Sequence, residues 1–362
     1  MRPWPGLLAA LGCSAALTCE AEDPLPLPLP TVAITSEHIA YSTWENPSML
    51  CMDDRLEALD RFLEGTASEL MVDLPPAPIR YIYTPYTLIT PSTWPCNEGA
   101  SGCYVTWDNR GFAYANSPDH THELVHTLDV PNHQDDHFVF IEGVAEYFGT
   151  DTRSDSILAT FPDQFKAVIT GEGRREDRYV ASMHYVGTLI ERSGIEKLDR
   201  IRGLVAADTD LEAFAAAHKD VYGESLDDAL LAMSSTPIRG RQQAWGCVER
   251  PPAIPWPNPD LLEASLHGEC GDGWSVNGGA DWLTRLFAIN VDRAGIYRLT
   301  VLTPEDALVA IAACADVDQP SGLAAMPVGQ GVLQAGSHVL SASAPGPGVD
   351  VTFTLEYLFP AP

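Results

Sequence analysis

The sequence predicts an α+β domain followed by an all-β sandwich. Its 362 residues exceed the length at which a single hydrophobic core stops growing. From Ser117 the spacing of apolar residues changes from a period of two to the helical period of 3.6. Beyond residue 260 strict alternation returns, between turns rich in Gly and Pro. Two folded parts with different architecture are therefore expected.

Residues 1–19 are typical of an export signal. A basic Arg2 precedes a short apolar run from Leu7 to Leu17, which is too short to span a bilayer as a permanent helix. The tract ending in Cys13 resembles a bacterial lipoprotein signal, so lipidation of Cys13 or Cys19 and plain secretion both stay open. Removal of residues 1–19 leaves an even set of cysteines suited to three disulfides in an oxidising compartment: Cys51, Cys96, Cys103, Cys247, Cys270 and Cys314. We expect a secreted or envelope-anchored protein.

A proline-alternating tether at residues 20–31 leads into the first folded domain, predicted at residues 32–244. Its first half alternates short strand-like and helical patterns. The predicted strands are Val32 to Thr43, Pro78 to Tyr83, Cys103 to Trp107 and Gly111 to Ala115, with a helix at residues 52–71. The family resemblance described below implies that the strand at Gly111 to Ala115, just before the next helix, lies at the edge of a cleft, where an extended peptide could pair with it.

Two consecutive helices carry the polar motifs of this domain. Ser117 is a good N-cap, Pro118 suits the first helical position and Asp119 suits the positive helix end, so a helix carrying HELVH is predicted to start there. A second helix begins near Val139 and carries EGVAEY. Residues 151–235 are predicted to be largely helical.

The second domain follows a proline-rich linker at residues 245–259. Residues 260–362 alternate apolar and polar side chains over strand-length runs, one of which includes Val349, Val351 and Phe353. This pattern is typical of a β-sandwich.

The charge restricts the classes of partner. The chain carries 50 acidic and 21 basic side chains, a formal net charge of −29. Phosphate backbones and anionic membrane surfaces would be repelled, so nucleic acid is not an expected partner. No Gly-x-Ser-x-Gly elbow or phosphate-binding glycine loop is present in the sequence.

The HELVH motif is the strongest chemical signal. His122 and His126 are four residues apart, so a helix presents both from one face, where neutral imidazoles can bind one Zn²⁺ ion. Glu123 lies beside the first histidine, where a carboxylate can take a proton from an attacking water. Two metal ligands and a catalytic base are thus predicted from five residues.

A third ligand is needed, and Glu142 is the first choice. Glu146 lies one turn further along the same predicted helix and can accept a hydrogen bond from a ligand histidine. Rival donors stay open: Asp129, Asp151, or a histidine of the pair His133 and His137, which could also hold a second metal. His120 and His184 have no spacing partner and are expected to be solvated or core histidines.

With HELVH and EGVAEY in place, residues 32–240 resemble the gluzincins, the zinc peptidases typified by thermolysin and aminopeptidase N. The resemblance implies a zincin-like domain, zinc ligands at His122, His126 and Glu142, the catalytic base Glu123 and a peptide or protein substrate. The segment from Tyr179 to Leu198 resembles the stretch that carries the catalytic tyrosine of aminopeptidases, which implies that Tyr179 stabilises the oxyanion. The aminopeptidase Gly-Ala-Met-Glu-Asn signature is absent, so aminopeptidase activity is not supported.

Two other classes of function stay open. One is a catalytically inactive, zinc-stabilised binding protein at the cell surface, which the tether and the β-domain would suit. The other is a metallohydrolase that acts on esters or amides other than peptides. Turnover of an unstructured protein distinguishes the first from a peptidase, and a substrate screen distinguishes the second.

Overall fold

The computed structural model describes residues 29–44, 51–97, 99–107, 110–117, 120–150, 152, 154–238, 240–241, 251–272, 275–279, 282–314, 322–346 and 348–360. Over these ranges the chain forms eight α-helices and three β-sheets, which confirms the α+β class. The predicted export signal and all but the last three residues of the tether lie outside the described residues, as do residues 245–250 of the predicted linker.

The predicted strand from Val32 to Thr43 forms two strands, Val32–Thr35 and Ile39–Thr43, and the other predicted strands keep nearly their expected bounds. The helices are α1 (Met52–Leu70), α2 (Thr121–Asp129), α3 (Phe138–Gly149), α4 (Phe161–Ile169), α5 (Arg175–Ser193), α6 (Ile195–Arg202), α7 (Leu211–Tyr222) and α8 (Leu226–Met233). The first strands are β1 (Val32–Thr35), β2 (Ile39–Thr43), β3 (Ile79–Tyr83), β4 (Gly102–Trp107) and β5 (Arg110–Ala115). The remaining strands are β6 (Leu261–Glu269), β7 (Ser275–Gly279), β8 (Trp282–Val291), β9 (Gly295–Thr303), β10 (Leu308–Ala313), β11 (Gly322–Ala325), β12 (Val328–Leu333), β13 (Gly336–Pro345) and β14 (Gly348–Phe359).

The described residues fall into two compact units. The helical unit comprises residues 132–146 and 154–238, with helices α4 to α8 and most of α3. The sheet unit comprises the other described residues and holds all fourteen strands, α1, α2 and the last turn of α3.

The first sheet of the sheet unit has the strand order β1-β2-β3-β5-β4. Strands β2, β3 and β5 are parallel, whereas β1 and β4 are antiparallel to their neighbours and form the two edges. The prediction that an extended peptide pairs with the strand at Gly111 to Ala115 is therefore wrong, since both sides of this strand are already paired. Because β5 pairs with β3 on one side and with β4 on the other, β4 takes the edge position.

Helix α1 forms because four leucines recur at helical spacing and all are buried: Leu56, Leu59, Leu63 and Leu70. It lies against α2 and against β7. A disulfide joins Cys51, immediately before the helix, to Cys270, immediately after β6. The disulfide therefore cross-links the start of α1 to the end of β6 within the sheet unit.

The C-terminal strands form two antiparallel sheets, with orders β11-β10-β13-β8-β7 and β12-β9-β14-β6. Alternate residues of both sheets enter one shared apolar core, which includes Leu283, Leu299, Val309, Leu340 and Phe353. Two sheets packed over one core form a β-sandwich, as the alternation predicts.

The helical unit has an aromatic core. The rings of Phe140 and Phe214 stack at 5.7 Å between centroids, and those of Phe165 and Tyr185 stack at 4.2 Å. Helix α3 approaches α5 closely at Gly143, where a Cβ atom would lie 2.6 Å from a methyl carbon of Val186. The glycine after Glu142 is thus required by helix packing.

Two disulfides are described, Cys51–Cys270 and Cys96–Cys103, and Cys314 is disulfide-bonded as well. Cys247 lies outside the described residues. Disulfides are typical of proteins in oxidising compartments. Among the described helices, none is long and apolar enough to span a membrane.

Candidate metal centre

The helix that carries HELVH begins later than predicted. Its first residue is Thr121, with His120 at the N-cap, whereas the sequence favoured a start at Ser117; Pro118 and Asp119 lie outside the described residues. The hydroxyl of Tyr81 on β3 donates to the carbonyl of Ser117 at 2.7 Å and accepts the N–H of His120 at 2.8 Å. These tertiary bonds satisfy the backbone without a further helical turn.

Helix α2 is buried along its whole length, packed against β4, β5 and α1. Leu124, Val125 and Leu128 are at most 2% exposed and anchor it. The polar motif is buried too, with His122 at 6% and His126 at 5% exposure. Their Nε2 atoms lie 3.1 Å apart, and the rings are nearly perpendicular.

The last turn of α3 fixes this helix against the start of α2. The hydroxyl of Thr121 donates to the carbonyl of Gly149 at 2.6 Å. At Gly149 a Cβ atom would lie 2.5 Å from the Cα of His122, so only glycine permits this approach. Glu142 is seven residues earlier on the same unbroken helix, about two turns away.

Three of the predicted ligands are brought together. One donor atom each from His122, His126 and Glu142 lie within 4.8 Å of one another, with both histidines buried and Glu142 half-buried. Two imidazole nitrogens and a carboxylate oxygen are a donor set that suits zinc. The Nε2 separation of 3.1 Å is near the edge of about 3.3 Å expected for a tetrahedron with zinc–nitrogen bonds of about 2.0–2.1 Å. The group can hold a metal ion.

The side chain of Glu123 is enclosed between α2 and the start of β4. It is 5% exposed, and a Cβ atom at Gly102 would lie 2.7 Å from its Cγ and 2.8 Å from its Oε1. The Nδ1 of His120 is 4.0 Å from the same oxygen, and the Nε2 of His120 is 3.0 Å from the hydroxyl of Ser101. Gly102 and His120 therefore flank the predicted base, and Ser101 contacts the far side of the His120 ring.

Sequence reasoning missed Ser101, Gly102 and Tyr104, and it predicted His120 to be a solvated or core histidine without a place near Glu123. Tyr104 shares the face of β4 with Gly102, and its ring centroid is 6.5 Å from that of His126. Burial raises the pKa of the Tyr104 hydroxyl, so the phenol stays protonated at neutral pH. The available signal was the alternation in β4, which puts residues 102 and 104 on one face.

The contacts described for Tyr179 are with Phe138 and Arg175. It lies on α5, with its ring 5.7 Å from that of Phe138 and its hydroxyl accepting a hydrogen bond from Arg175 at 3.4 Å. Its predicted role at the oxyanion stays a prediction. Glu146 lies one turn beyond Glu142 on α3 and is half-buried, and its role toward a ligand histidine is likewise still a prediction.

The rival third ligands are not part of the group. Among the described residues, neither of the two groups that could hold an ion includes Asp129, His133 or His137, and Asp151 lies outside those residues. The Nδ1 of His133 is 3.5 Å from Asp136, and the Nδ1 of buried His137 accepts the N–H of Val139 at 3.2 Å.

His184 is a core histidine, as expected. It is fully buried, its Nδ1 is 2.7 Å from the hydroxyl of Ser154, and its Nε2 is 3.1 Å from the carbonyl of Met233. Both ring nitrogens therefore have hydrogen-bond partners inside the helical unit.

Fold and site together define an α+β protein with two buried histidines and a half-buried glutamate that could hold a metal ion. No protein-family model matches the chain. No curated protein sequence matches it either. Among solved structures, the chain is similar to PliG, the periplasmic inhibitor of g-type lysozyme from Aeromonas hydrophila, at 11% identity and a TM-score of 0.21. The match covers 30% of this chain and 95% of that one, and at this TM-score the likeness carries no argument.

Proposed function

We propose that the protein is an exported zinc-dependent peptidase. The observation that carries the proposal is the convergence of His122, His126 and Glu142 within 4.8 Å, with the Glu123 carboxylate on the same helix. Two disulfides and an additional disulfide-bonded cysteine support export. Secretion and a lipid anchor at Cys13 or Cys19 are both compatible with them.

In this proposal His122, His126 and Glu142 hold the ion, and Glu146 orients a ligand histidine. A zinc ion there would supply Lewis-acid polarisation of the scissile carbonyl and of the attacking water. Glu123 takes the proton from that water and returns it to the leaving amine. Burial of Glu123 against Gly102 limits the positions of its carboxylate, which favours proton transfer.

The edge strand β4 supports a peptide as substrate. Among the described strands β4 pairs with β5 alone, so its outer row of backbone N–H and C=O groups can pair with an extended chain. Gly102, at the start of β4, lies directly beside the side chain of Glu123. A peptide added along β4 would therefore pass beside the catalytic base.

The test is turnover of casein by the protein with and without a chelator, together with its zinc content. Glu123→Gln should keep zinc and lower turnover by at least about 100-fold, because general-base catalysis typically contributes that much. Glu142→Gln should lose zinc and activity together. Glu212→Gln, which changes an exposed carboxylate on α7, is the matched control.

Equal turnover by the wild-type protein and Glu123→Gln would refute the mechanism. A protein that holds zinc tightly but cleaves neither casein nor short peptides would refute the peptidase and favour the zinc-stabilised binding protein instead.

A further inference from the structure

A second group of ligand-type side chains lies where the β1–β2 turn meets helix α1. Glu37 and His38 are in the turn, and Glu64 is on the helix. One donor atom from each lies within 4.8 Å of the others, and the Nε2 of His38 is 3.1 Å from an oxygen of Glu64. The His38 side chain is 14% exposed, whereas that of Glu64 is 50% exposed. The imidazole is thus held in place while the carboxylates face solvent.

The turn is fixed by a buried carboxylate that is not one of the three donors. Asp60, 8% exposed, accepts hydrogen bonds from the Ser36 hydroxyl at 2.8 Å, from the Glu37 N–H at 3.1 Å and from the His38 N–H at 3.0 Å. Asp60 precedes Glu64 by one helical turn on α1, so both point from the same helix face. The bonds to Asp60 therefore keep Glu37 and His38 beside Glu64.

The charges at this group are not balanced by cationic side chains. In the part of the chain that the structure describes, no lysine or arginine forms an ion pair with Glu37 or Glu64, and the Nε2 of His38 lies 3.1 Å from an oxygen of Glu64. Two carboxylates thus lie beside one imidazole, and a third, that of Asp60, is bonded to the backbone of the same turn. Close like charges are destabilising, and a divalent cation would relieve the repulsion.

We propose that Glu37, His38 and Glu64 form a second divalent-cation site, separate from the candidate metal centre and independent of catalysis. One imidazole with two carboxylates suits zinc-type ions, because calcium and magnesium prefer ligand sets made of oxygen alone. Asp60 acts as a positioning residue. The bound ion would join the β1–β2 turn to α1 and stabilise the folded sheet unit.

The experiment measures zinc stoichiometry by equilibrium dialysis and elemental analysis, with His126→Gln removing the first site. The wild-type protein should bind about two zinc ions and His126→Gln about one. Adding Glu64→Gln should abolish that remaining ion. Adding Glu57→Gln should leave it bound, because Glu57 is exposed on the same helix and paired with Arg61 at 3.0 Å.

A second readout is thermal unfolding of His126→Gln with added zinc. The unfolding midpoint should rise, and the rise should disappear in the double variant with Glu64→Gln, because only an ion bound to the folded state stabilises it. His38→Gln in place of Glu64→Gln should give the same loss. Equal zinc binding by the double variants at Glu64 and Glu57 would overturn the proposal.

The outcome also separates this proposal from the proposed function. One zinc ion in the wild-type protein and none in His126→Gln would overturn the second site and support the first. Zinc lost on Glu64→Gln alone but unchanged by His126→Gln would support the second site and refute the candidate metal centre.

Discussion

Replacing Gly149 by alanine tests how the candidate metal centre is assembled. The new Cβ would lie 2.5 Å from the Cα and 2.7 Å from the N of His122, and neither backbone atom can rotate away. Since ordinary carbon contacts begin near 3.5 Å, α2 and α3 must separate by about 1 Å. Overpacking of this kind costs about 1–3 kcal/mol of unfolding free energy.

The same displacement should weaken metal binding. Glu142 is carried by α3 and His122 by α2, and ligand positions need to be held to within about 0.5 Å. We expect zinc affinity to fall by roughly 10- to 100-fold, the range found when the support of metal ligands is disturbed.

Gly65→Ala is the matched control. Gly65 is in the interior of α1, and a Cβ there meets nothing within 4 Å. Alanine should therefore raise the unfolding free energy by about 0.5–1 kcal/mol and leave zinc binding unchanged. Urea unfolding and competition with a chromophoric chelator measure the two effects. A Gly149→Ala protein as stable as Gly65→Ala, with wild-type zinc affinity, would refute this packing argument.

Two further predictions concern the base and the pH dependence. Gly102→Ala would place a Cβ 2.8 Å from Oε1 of Glu123. Casein turnover should therefore fall by roughly 100-fold, while the zinc content stays unchanged. Turnover equal to that of the wild-type protein would contradict the argument that Gly102 encloses the Glu123 side chain. Burial lowers the pKa of three histidines of the helical unit from 6.5 to about 4: His137, His184 and His218. Since these folded-state pKa values lie below the unfolded value, the stabilisation is present above pH 6.5 and is lost as pH falls toward 4, by up to about 1.4 kcal/mol per pH unit for each histidine. Urea midpoints across this range measure the slope, His218→Asn should reduce it by about a third, and a flat profile would refute the prediction.

Local pattern was sufficient for most of the elements and for the two histidines of the metal group. The spacing of His122 and His126 depends only on the helical period, so it could be read directly from the sequence. The four leucines of α1 and the alternation after residue 260 likewise determine their own elements. The choice of Glu142 rests on Glu146 one helical turn further on as well as on the family resemblance, and the contact at Gly149 places the end of its helix beside α2.

Non-local pairing could not be predicted in the same way. The sequence of β5 does not indicate that this strand pairs with both β3 and β4. Because it pairs with both, β4 and not β5 is the edge strand. The start of α2 depends on the hydroxyl of Tyr81, about forty residues away. Gly102 beside Glu123 depends on the same sheet order. Each of these positions is determined by tertiary contacts, which do not appear in the periodicity of apolar residues along the sequence.

The Cys51–Cys270 bond determines what happens to the protein after a protease cuts it once. It closes a covalent ring that contains every element from α1 to β6, including all proposed ligands of the metal centre. A single cut anywhere inside that ring leaves both pieces joined, so the β-sandwich cannot be released from the first sheet by one nick. A nicked protein would run as two fragments on a reducing gel and as one species without reductant.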